Sequence, residues 1–340
     1  MNERTYDFRN NNDDIEQYRV LASEDIPSST IALQQGDTPI FSIGDISCVT
    51  GLPKSRKTFL ITAIAVAFLK DGGFLSLNSE LDEKRILIVD TEQSKRFVQI
   101  LVRRIYRLME WDYSCDHVES VQILSLRELT PEKRWEVVQT AIKKWKPQMV
   151  LIDGSSDLIE NTNDETSSFA MVQNLMRLAS VERCHVCNVV HTNPNSEKTR
   201  GHFGSELQRK SETVMFVQKD GDTTTVKPQF TRSVEFLPFS FRINEYGVPE
   251  QTEVVVPKQE NLRAVFEEIF AYSEFLSFVD LRDRLMKNTG KGKTSTENRI
   301  RKGLTEKIIY KDIDGFYRLY FEAEEPNLPF TENNDETLPF

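Results

Sequence analysis

The segment Gly51-Leu-Pro-Lys-Ser-Arg-Lys-Thr58 places an ammonium group and a hydroxyl group side by side at the end of a short loop. It follows the apolar run ISCVT and precedes the helical run FLITAIAVAFL. A loop between a strand and a helix directs backbone N–H groups and the positive end of the helix towards phosphate. Lys57 can then reach the outer phosphates of a nucleotide, and the Thr58 hydroxyl can bind Mg²⁺. We therefore predict a site for ATP and Mg²⁺ formed by Gly51, Pro53, Lys54, Ser55, Arg56, Lys57, Thr58 and Phe59.

Arg56 departs from the usual phosphate-loop pattern, which has glycine immediately before the lysine. Glycine is preferred where the backbone approaches phosphate closely or takes unusual dihedral angles. An arginine fits if its side chain points outward, where it adds a cation near an anion. Two interpretations follow. The other elements of the loop favour nucleotide binding, and the alternative is a degenerate loop that has lost its nucleotide.

Two further apolar runs end in acidic residues. MVLID ends at Asp153, and RILIVD, which ends at Asp90, leads into Thr-Glu92-Gln. At the carboxyl end of a strand in a doubly wound sheet, such carboxylates face the ligand crevice. We predict that Asp153 holds Mg²⁺ with Thr58, that Glu92 is the catalytic acid which orients the attacking water, and that Asp90 is structural or supports a residue that contacts the ligand. A solvated loop carboxylate is the alternative for Asp153.

His191 closes another apolar run, CNVVHTN. A polar group there can touch the γ-phosphate and report its loss to the following loop, whereas the alternative is a satisfied histidine at a strand end. The following segment, PNSEKTRGHFGSELQRKSE, is predicted to be a long polar loop, with Lys198 and Arg200 as candidate DNA contacts. Its two glycines suit a segment that changes conformation.

Short apolar runs alternate with longer amphipathic stretches from about residue 40 onwards, which is typical of a parallel α/β sheet. The predicted strands are ISCVTG, RILIVDTE, VQILSL, QMVLIDG, CHVCNVVHT, ETVMFVQKD and TTTVKPQFTR, and the predicted helices are 57–70, 94–110, 131–145 and 167–181. Runs such as MVLID are apolar on successive residues, so they need cover on both faces of the sheet. We predict a flexible segment at residues 1–25, followed at 26–250 by an α/β domain with a mostly parallel sheet flanked by helices.

A second, smaller domain is predicted at residues 260–321, after a linker at QTEVVVPKQE. Three helix-sized segments, at 262–272, 278–288 and 294–306, precede a strand-like pair that turns at Asp314-Gly315. This is the order of a winged-helix domain. Basic residues in and before the third helix are predicted to contact DNA, namely Lys291, Lys293, Arg299, Arg301 and Lys302. A winged helix that contacts protein is the alternative.

The chain has 53 acidic and 43 basic residues, and its net charge of -10 alone argues against a nucleic-acid partner. The charge is uneven, because residues 287–311 carry eight basic residues against Glu297 and Glu306, and binding follows the local patch.

No apolar run approaches the ~20 residues of a membrane span. The N-terminus lacks an apolar signal core, so we predict a cytoplasmic protein without a membrane partner. Cys184 and Cys187 form a lone CxxC in a predicted buried strand, which favours core thiols over a metal site.

Taken in order, the phosphate loop and the DTEQ, LIDG and HTN motifs resemble the RecA-like ATPases. The resemblance is strongest to the RepA-like hexameric helicases and related ATPases of bacterial mobile elements, and it covers about residues 35–245. It implies a RecA-like fold, ATP hydrolysis at a subunit interface, a homo-oligomer such as a hexamer, and nucleic acid in a central channel. It assigns Lys57 and Thr58 to the Walker A motif, Asp153 to Walker B, Glu92 to the catalytic acid and His191 to the sensor.

In such assemblies a basic residue from the neighbouring subunit completes the site and stabilises the developing phosphate charge. Arg232, in KPQFTRSVEF, lies where the resemblance places this catalytic residue. Lys219 and Lys227 are its rivals, and a plain surface arginine is the alternative.

The tail at residues 322–340 is acidic, contains proline and is predicted to be disordered. Its last residues, NNDETLPF, resemble the acidic tip of bacterial single-stranded DNA-binding proteins. Leu338, Pro339 and Phe340 are therefore predicted to recruit a replication or repair protein. A tail of accidental composition is the alternative.

Together these features predict an ATP-driven, oligomeric DNA-remodelling or helicase-like protein of replication or mobilisation. Two other functions stay open. One is a nucleotide-switched DNA-binding adaptor without sustained hydrolysis, and the other is a P-loop kinase or metabolic NTPase with a regulatory winged helix.

Overall fold

The computed structural model describes residues 18–194, 196–254, 262–290 and 292–320. The described strands are β1 (Ile31–Gln35), β2 (Thr38–Ser42), β3 (Ile46–Thr50), β4 (Ile86–Asp90), β5 (Val121–Ser125), β6 (Met149–Asp153), β7 (His185–Val189), β8 (Thr213–Asp220), β9 (Thr223–Thr231), β10 (Phe239–Ile243), β11 (Pro249–Thr252), β12 (Ile309–Lys311) and β13 (Tyr317–Leu319). The described α-helices are α1 (Lys57–Leu69), α2 (Lys95–Met109), α3 (Pro131–Trp145), α4 (Glu165–Glu182), α5 (Gly201–Lys210), α6 (Leu262–Phe270), α7 (Phe278–Thr289) and α8 (Lys293–Thr305). A short 3-10 helix, Ser155–Leu158, follows β6.

Nine strands form one twisted sheet in the order β11-β10-β9-β8-β3-β7-β6-β4-β5. The six strands from β8 to β5 in that order are parallel to one another, and β9, β10 and β11 continue the sheet in antiparallel pairing. The large unit is therefore an α/β fold with a mostly parallel sheet flanked by helices, as predicted. The hairpin of β1 and β2 forms a separate two-stranded sheet.

The central strands are buried on both faces because helices cover each side. All five residues of β3, β4, β6 and β7 are buried. One core joins α1 and α2 to one face of the sheet, through residues such as Val49, Ile88 and Leu151. A second core joins α3, α4 and α5 to the other face, through the alternate residues Cys48 and Val89. Successive side chains of a strand point to opposite faces, so one apolar run serves both cores.

The helix ends follow local capping chemistry. Thr130 accepts a hydrogen bond from the backbone N–H of Lys133, and Pro131 occupies the first turn of α3. Asp164 accepts one from the Ser167 N–H at 2.8 Å, so α4 begins at Glu165 rather than at the predicted residue 167. Short polar side chains at these positions satisfy N–H groups that the helix itself leaves unpaired.

The seven predicted strands and the four predicted helices of the large unit are all present, but five elements were not predicted. Four are strands, β1, β2, β10 and β11, which lie outside the runs of strong apolar character. The fifth is α5, which lies within the segment predicted to be a loop. It forms because Phe203 and Leu207 are buried in the second core, while Gly204 lies against Thr199 too closely to carry a side chain. Two glycines in ten residues weaken the local helix signal, and tertiary packing overrides it.

The chain divides into two compact units, with the division between residues 255 and 256. In the second unit, α6, α7 and α8 precede the β12–β13 hairpin, and residues of all these elements share one core that includes Phe266, Leu281, Ile300 and Ile309. Ser277 caps α7 by accepting from the Asp280 N–H, and Gly290 ends it at φ 65°.

Among the described residues, no helix is long and apolar enough to cross a membrane. The predicted linker falls partly on β11, and the acidic tail at 322–340 lies outside the described residues.

Candidate nucleotide site

Four motifs that are far apart in the sequence meet at one edge of the sheet. The strands that precede them, β3, β7, β6 and β4, are consecutive neighbours and all parallel. Their carboxyl ends therefore lie side by side, which is where ligands bind in open α/β sheets. The phosphate loop follows β3, Glu92 follows β4, Asp153 ends β6 and His191 follows β7.

The phosphate loop adopts the left-handed conformation at two residues that are not glycine. Lys54 has φ 64° and Arg56 has φ 72°. Such conformations cost roughly 1–3 kcal/mol each in a residue with a side chain, so the surrounding structure must hold them. Gly51 has φ 152°, and a Cβ there would lie 2.5 Å from the carbonyl oxygen of Val217. Glycine is thus required at the start of the loop but not before Lys57.

The side chain of Arg56 points away from the loop, as the sequence interpretation requires. Its guanidinium group donates to the carbonyl oxygen of Asp222 at 2.6 Å and to Thr224 Oγ1 at 3.3 Å. Asp222 lies in the turn between β8 and β9, and Thr224 is the second residue of β9. The backbone carbonyl of Arg56 accepts from the N–H groups of Phe59 and Leu60, which starts α1. Arg56 therefore connects the loop, the helix and the β8–β9 turn.

The ammonium group of Lys57 is buried and fully hydrogen-bonded. Its Nζ donates to the carbonyl oxygens of Gly51 at 2.9 Å and Leu52 at 2.8 Å, and it lies 3.0 Å from His191 Nδ1. Burial lowers the pKa of Lys57 to about 8, although the nearby carboxylates of Asp153 and Glu92 raise it. An anionic phosphate would favour the protonated form and compete with these neutral acceptors.

Thr58 and Asp153 form the oxygen pair that a magnesium site needs. Thr58 Oγ1 donates to Asp153 Oδ2 at 2.7 Å. Burial raises the pKa of Asp153 to about 6, although the hydrogen bond from Thr58 lowers this pKa in part. Mg²⁺ prefers oxygen ligands and is usually held by one or two carboxylates together with phosphate oxygens.

Glu92 and His191 face each other across the cavity mouth. His191 Nε2 lies 3.4 Å from Glu92 Oε1. Because Lys57 can only donate, His191 Nδ1 is the acceptor, and the ring proton of neutral His191 is assigned to Nε2, facing Glu92. The hydrogen bond with His191 lowers the pKa of Glu92 and outweighs its burial. Glu92 is thus a carboxylate that can accept a proton, or a hydrogen bond from a water molecule.

Asp90 is hydrogen-bonded within the turn that follows β4. Its carboxylate accepts from the backbone N–H groups of Glu92 and Gln93 and from Gln93 Nε2 at 2.6 Å. These bonds fix the turn that carries Glu92, and burial raises the pKa of Asp90.

Gly154 was not singled out in the sequence, although it shapes the same turn. It has φ +94°, and a Cβ on it would collide with Thr91 Oγ1 and lie 2.8 Å from Glu92 Cγ. Thr91 Oγ1 lies 2.9 Å from the Gly154 carbonyl oxygen and 3.0 Å from Asp157 Oδ2, and its one proton can be donated to either of them. The sequence does contain a signal for this residue, because glycine follows Asp153 directly in LIDG, and glycine is typical of positions where two backbone segments approach closely.

A cavity of about 430 Å³ joins these groups to an apolar end. Its polar end includes Lys57, Thr58, Asp153, Glu92 and His191. The other end is formed by Gln93, in the turn before α2, and by α1 and α2 residues, of which only Phe59 was predicted as a site residue: Phe59, Phe97, Ile100, Leu101 and Arg104. Amphipathic periodicity assigns exposed positions of α2 to solvent, so it could not identify them.

Arg104 is the basic residue at the apolar end. Its guanidinium carbon lies 3.9 Å from the centre of the Phe59 ring, and its Nε donates to the Gly247 carbonyl oxygen at 2.9 Å. Burial lowers the pKa of Arg104 to about 10. The arginine therefore orders the wall that connects α1, α2 and the turn before β11.

The residues present fit magnesium-ATP on three counts. The cavity volume lies in the ~300–1,000 Å³ range of small-molecule sites. The donor set at Thr58 and Asp153 consists of hard oxygen atoms. Ser55 Oγ is buried and has no hydrogen-bond partner among the described residues, which leaves one hydroxyl in the loop free to meet a ligand.

The predicted basic residues from a late strand lie at two different edges of the sheet. Arg232 pairs with Asp45 at 3.6 Å and donates to the Lys210 carbonyl oxygen, at the amino edge of β3 and far from its own phosphate loop. Lys219 lies near the end of β8, beside the phosphate loop. Lys227 pairs with Glu197 at 2.9 Å.

The segment after His191 folds back on itself before α5. The N–H of Asn193 donates to the Lys198 carbonyl oxygen, and the N–H of Arg200 donates to that of His191. The side chains of Lys198 and Arg200 are exposed at this turn. The backbone of His191 is thus hydrogen-bonded to the following loop, to which His191 was predicted to transmit the loss of the γ-phosphate.

The basic residues predicted on the second unit fall on and before α8. Lys293, Arg301 and Lys302 are exposed, and Arg299 is half-buried. Lys302 pairs with Glu306 at 3.5 Å. Lys291 lies outside the described residues.

The cysteines give no indication of a metal centre. Cys184 and Cys187 are buried, and burial raises the pKa of each thiol to about 12. Among the described residues, no group of three or more His, Cys, Asp or Glu side chains could hold a metal ion by themselves. The Thr58–Asp153 pair does not conflict with this, because Mg²⁺ takes its remaining ligands from water and phosphate.

One comparison with protein families identifies a family that the chain matches over half of its length. Residues 26–197, which are 172 of the 340 residues, match a family whose description is AAA domain. The crystal structure of the RadB recombinase is similar to the chain with a TM-score of 0.44 and 18% sequence identity, over 63% of this chain and 93% of that one. No curated protein matches the chain.

Proposed function

Because the chain belongs to the AAA domain family, we propose that it binds magnesium-ATP and hydrolyses it. One observation carries the proposal. Groups from four neighbouring strand ends meet around one cavity: the Lys57 ammonium group, the Thr58–Asp153 pair and the facing Glu92 and His191 side chains. This set supplies a phosphate-binding cation, oxygen ligands for a divalent ion and a carboxylate that can orient water.

Each group has a separate task in this proposal. The loop N–H groups and the amino end of α1 bind phosphate, and Lys57 neutralises charge on the outer phosphates. Thr58 and Asp153 would hold Mg²⁺, which would supply electrostatic stabilisation of the transferred phosphoryl group. Glu92 accepts a hydrogen bond from the attacking water, and His191 holds that carboxylate in its ionised form.

We also propose that the active form is a homo-oligomer, with a hexamer as the size suggested by the resemblance to hexameric helicases. A basic residue would then reach the neighbouring nucleotide from Arg232, Lys219 or Lys227. Lys219 is exposed beside the phosphate loop, whereas Arg232 lies at the other edge of its own sheet. A residue that serves a neighbour need not lie near its own loop, so all three stay candidates.

The proposed partner is DNA, single- or double-stranded, contacted by the second unit and by the Lys198–Arg200 turn. Three helices followed by a hairpin is the order of a winged helix. The exposed basic residues Lys293, Arg301 and Lys302 lie on one helix, with no acidic residue in its first turn. These features support a DNA-remodelling or helicase-like role in replication or in mobilisation of a mobile element. Recruitment of a repair protein through Leu338, Pro339 and Phe340 remains a prediction from sequence.

Two variants test ATP binding and hydrolysis separately. Lys57→Ala should weaken magnesium-ATP binding by roughly 10-fold or more, because it removes a charged hydrogen-bond donor. Glu92→Gln should keep binding within roughly threefold and reduce hydrolysis by roughly 100-fold or more. The measurements are titration calorimetry and a phosphate-release assay with and without single-stranded DNA. Glu136→Gln, on the exposed face of α3, is the matched control.

The results distinguish the alternative functions. A nucleotide-switched DNA adaptor would bind ATP but show no DNA-stimulated release of phosphate that Glu92→Gln abolishes. A P-loop kinase or metabolic NTPase would show no DNA affinity that falls steeply with salt. No affinity of the purified wild type for magnesium-ATP, with oligonucleotide present, would overturn the proposal.

A further inference from the structure

The end of the β8–β9 hairpin extends past the end of β3, the neighbouring strand with which β8 pairs. The β3–β8 pairing ends at Thr50 and Phe216, whereas β8 continues to Asp220 and pairs there only with β9. Gln218, Lys219 and Asp220 are exposed. The projecting part therefore needs a contact outside the sheet to fix its position over the phosphate loop.

Two contacts with the phosphate loop supply that position. The first is close backbone packing, since a Cβ on Gly51 would lie 2.5 Å from the Val217 carbonyl oxygen. The second is the Arg56 guanidinium group, which donates to the Asp222 carbonyl oxygen at 2.6 Å and to Thr224 Oγ1 at 3.3 Å. Among the described contacts of Arg56, none is an ion pair with a carboxylate. The guanidinium group thus binds a backbone carbonyl of the β8–β9 turn and a hydroxyl group at the start of β9.

From these contacts we propose that Arg56 is a positioning residue which couples the phosphate loop to the β8–β9 hairpin. The coupling rests on the proposed nucleotide function, because phosphate bound by the loop would act through Arg56. Arg56 precedes Lys57 directly, and its carbonyl oxygen starts α1. Any change of the loop backbone when it binds phosphate therefore moves the point from which the guanidinium group holds the turn.

The hairpin that Arg56 holds carries two basic residues with exposed or half-buried side chains. Lys219 lies opposite Thr224, and Lys227 lies opposite Phe216. In an oligomer the exposed Lys219 can extend towards a neighbouring molecule, whereas Lys227 would have to leave its ion pair with Glu197 to do so. The Arg56 contact would then transmit the state of one phosphate loop to a surface that faces the next subunit. Glycine at position 56 would satisfy the loop backbone but could not make this connection.

The first test needs no nucleotide. Hydrogen exchange at the N–H groups of residues 218–224 should be at least tenfold faster in Arg56→Gly than in the wild type. Arg56→Lys keeps the charge but has a shorter reach and lacks the fork of donors, so it should give an intermediate rate. Arg209→Gln, which removes an exposed ion pair of α5, should leave these rates unchanged. Wild-type exchange rates in Arg56→Gly would overturn the proposal.

The second test follows the hairpin during nucleotide binding. An environment-sensitive fluorophore is attached to Asp220→Cys in a Cys115→Ser background, because Cys115 is the exposed cysteine and the other three are buried. Magnesium-ATP should change the fluorescence of the labelled protein, and Arg56→Gly should lose most of that change at saturating nucleotide.

Affinity for magnesium-ATP is measured in the same samples. An undiminished response in Arg56→Gly at saturation would overturn the coupling. The same conclusion would follow if Arg56→Gly abolished nucleotide binding while hairpin exchange stayed at the wild-type rate, since Arg56 would then be a phosphate ligand. If the wild type bound no magnesium-ATP, the proposed function would fail, and the exchange experiment would still decide whether Arg56 positions the hairpin.

Discussion

Thr58 Oγ1 donates a hydrogen bond to Asp153 Oδ2 at 2.7 Å, which joins the first turn of α1 to the end of β6. The two residues are 95 positions apart in the chain. Their contact brings a hydroxyl group and a carboxylate together at the place where the phosphate loop ends. This pair defines where a divalent ion would lie and makes several consequences measurable.

Removing the hydroxyl group of this pair should weaken the binding of metal more than that of nucleotide. Thr58→Ala should raise the Mg²⁺ concentration required for half-maximal ATP hydrolysis by roughly 10-fold or more, because it removes one oxygen ligand. Thr58→Ser keeps the hydroxyl group and is the matched control. Equal Mg²⁺ dependence in Thr58→Ala and wild type would contradict a role for Thr58 at the metal.

His191 should affect hydrolysis through Glu92. In His191→Ala, we expect hydrolysis to fall by roughly 10- to 100-fold with little loss of ATP affinity, because Glu92 is no longer held in place. The hydrogen bond from His191 lowers the pKa of Glu92. Its loss should therefore move the acid limb of the pH–rate profile to higher pH. Asn193→Ala, in the same segment, is the control, and an unshifted acid limb would argue against the pairing.

Gly154 should not tolerate a side chain. Gly154→Ala should destabilise the large unit by roughly 1–3 kcal/mol and impair hydrolysis, because the new methyl group would collide with Thr91 and press on Glu92. Gly72→Ala is the matched control, since Gly72 has φ +80° but open space around it. Chemical denaturation followed by circular dichroism measures the difference. Equal losses in the two variants would attribute the effect to φ alone.

A buried carboxyl group at the other edge of the sheet should give a measurable pH dependence of stability. Burial raises the pKa of Glu212 to about 7, and the Ser42 N–H donates to its Oε1 at 2.6 Å. In the unfolded chain the pKa of a glutamate is about 4.3. Between these two pKa values the folded state therefore binds more protons than the unfolded state. The contribution of Glu212 to the free energy of unfolding is fully present below about pH 4 and is lost as the pH rises to about 7.

Glu212→Gln should remove this dependence, because an amide oxygen can accept the same hydrogen bond without titrating. Between pH 5 and pH 8, the wild type should lose up to about 3 kcal/mol relative to Glu212→Gln. Parallel denaturant titrations of the two proteins measure the difference. A free-energy gap that does not change with pH would show that Glu212 is ionised throughout.

The neighbouring His185 acts in the opposite direction. It is buried against Ser42 and Ser47, and burial lowers its pKa to about 3. The unfolded chain binds a proton near pH 6.5 that the folded chain does not bind until about pH 3, so His185 destabilises the fold as pH falls through that window. His185 Nδ1 lies 3.4 Å from Glu212 Oε1, so the two titrations are coupled, and the difference between the wild-type and Glu212→Gln curves reports on the pair.

On α8, Arg301 should contribute more to DNA affinity than Lys302. Both are exposed, but Lys302 pairs with Glu306 at 3.5 Å, which neutralises part of its charge. Arg301→Ala should lower the affinity for DNA and reduce the slope of log K against log salt by about one unit. Lys302→Ala should cause a smaller loss of affinity and a smaller reduction of the slope. Fluorescence anisotropy with a duplex oligonucleotide provides the measurement. A slope unchanged in both variants would favour protein contact over DNA for this module.

Local chemistry alone predicted much of the large unit. All residues of β3, β4, β6 and β7 are buried because both faces of each strand are covered, and the nearly continuous apolar runs of β4 and β6 identified these two as central strands. The helix predicted at 131–145 matches α3, whose start is fixed locally by the Thr130 cap and by Pro131 in the first turn. Where burial is complete or a cap is present, the signal lies within a few residues and can be read from the sequence.

The elements that were missed depend on distant partners. The strand β10 pairs with β9 and β11 at the edge of the sheet, where mixed polar residues suffice. The helix α5 was predicted to be a loop, since only Phe203 and Leu207 give it an apolar face. The apolar end of the cavity arises from residues on α2 that look like ordinary surface positions. No local pattern distinguishes such positions from solvated ones.

Sequence by itself determined the chemistry of this protein: a lysine and a threonine after one strand, and acids and a histidine after three others. It also determined that these groups end buried strands, because unbroken apolar runs require cover on both faces. Only the tertiary structure decided which strands are neighbours, and hence that His191 lies between Lys57 and Glu92 and that Arg56 reaches the β8–β9 turn. Strand order depends on how helices cross over the whole sheet, and contacts between residues so far apart in the chain leave no pattern within any single stretch of it.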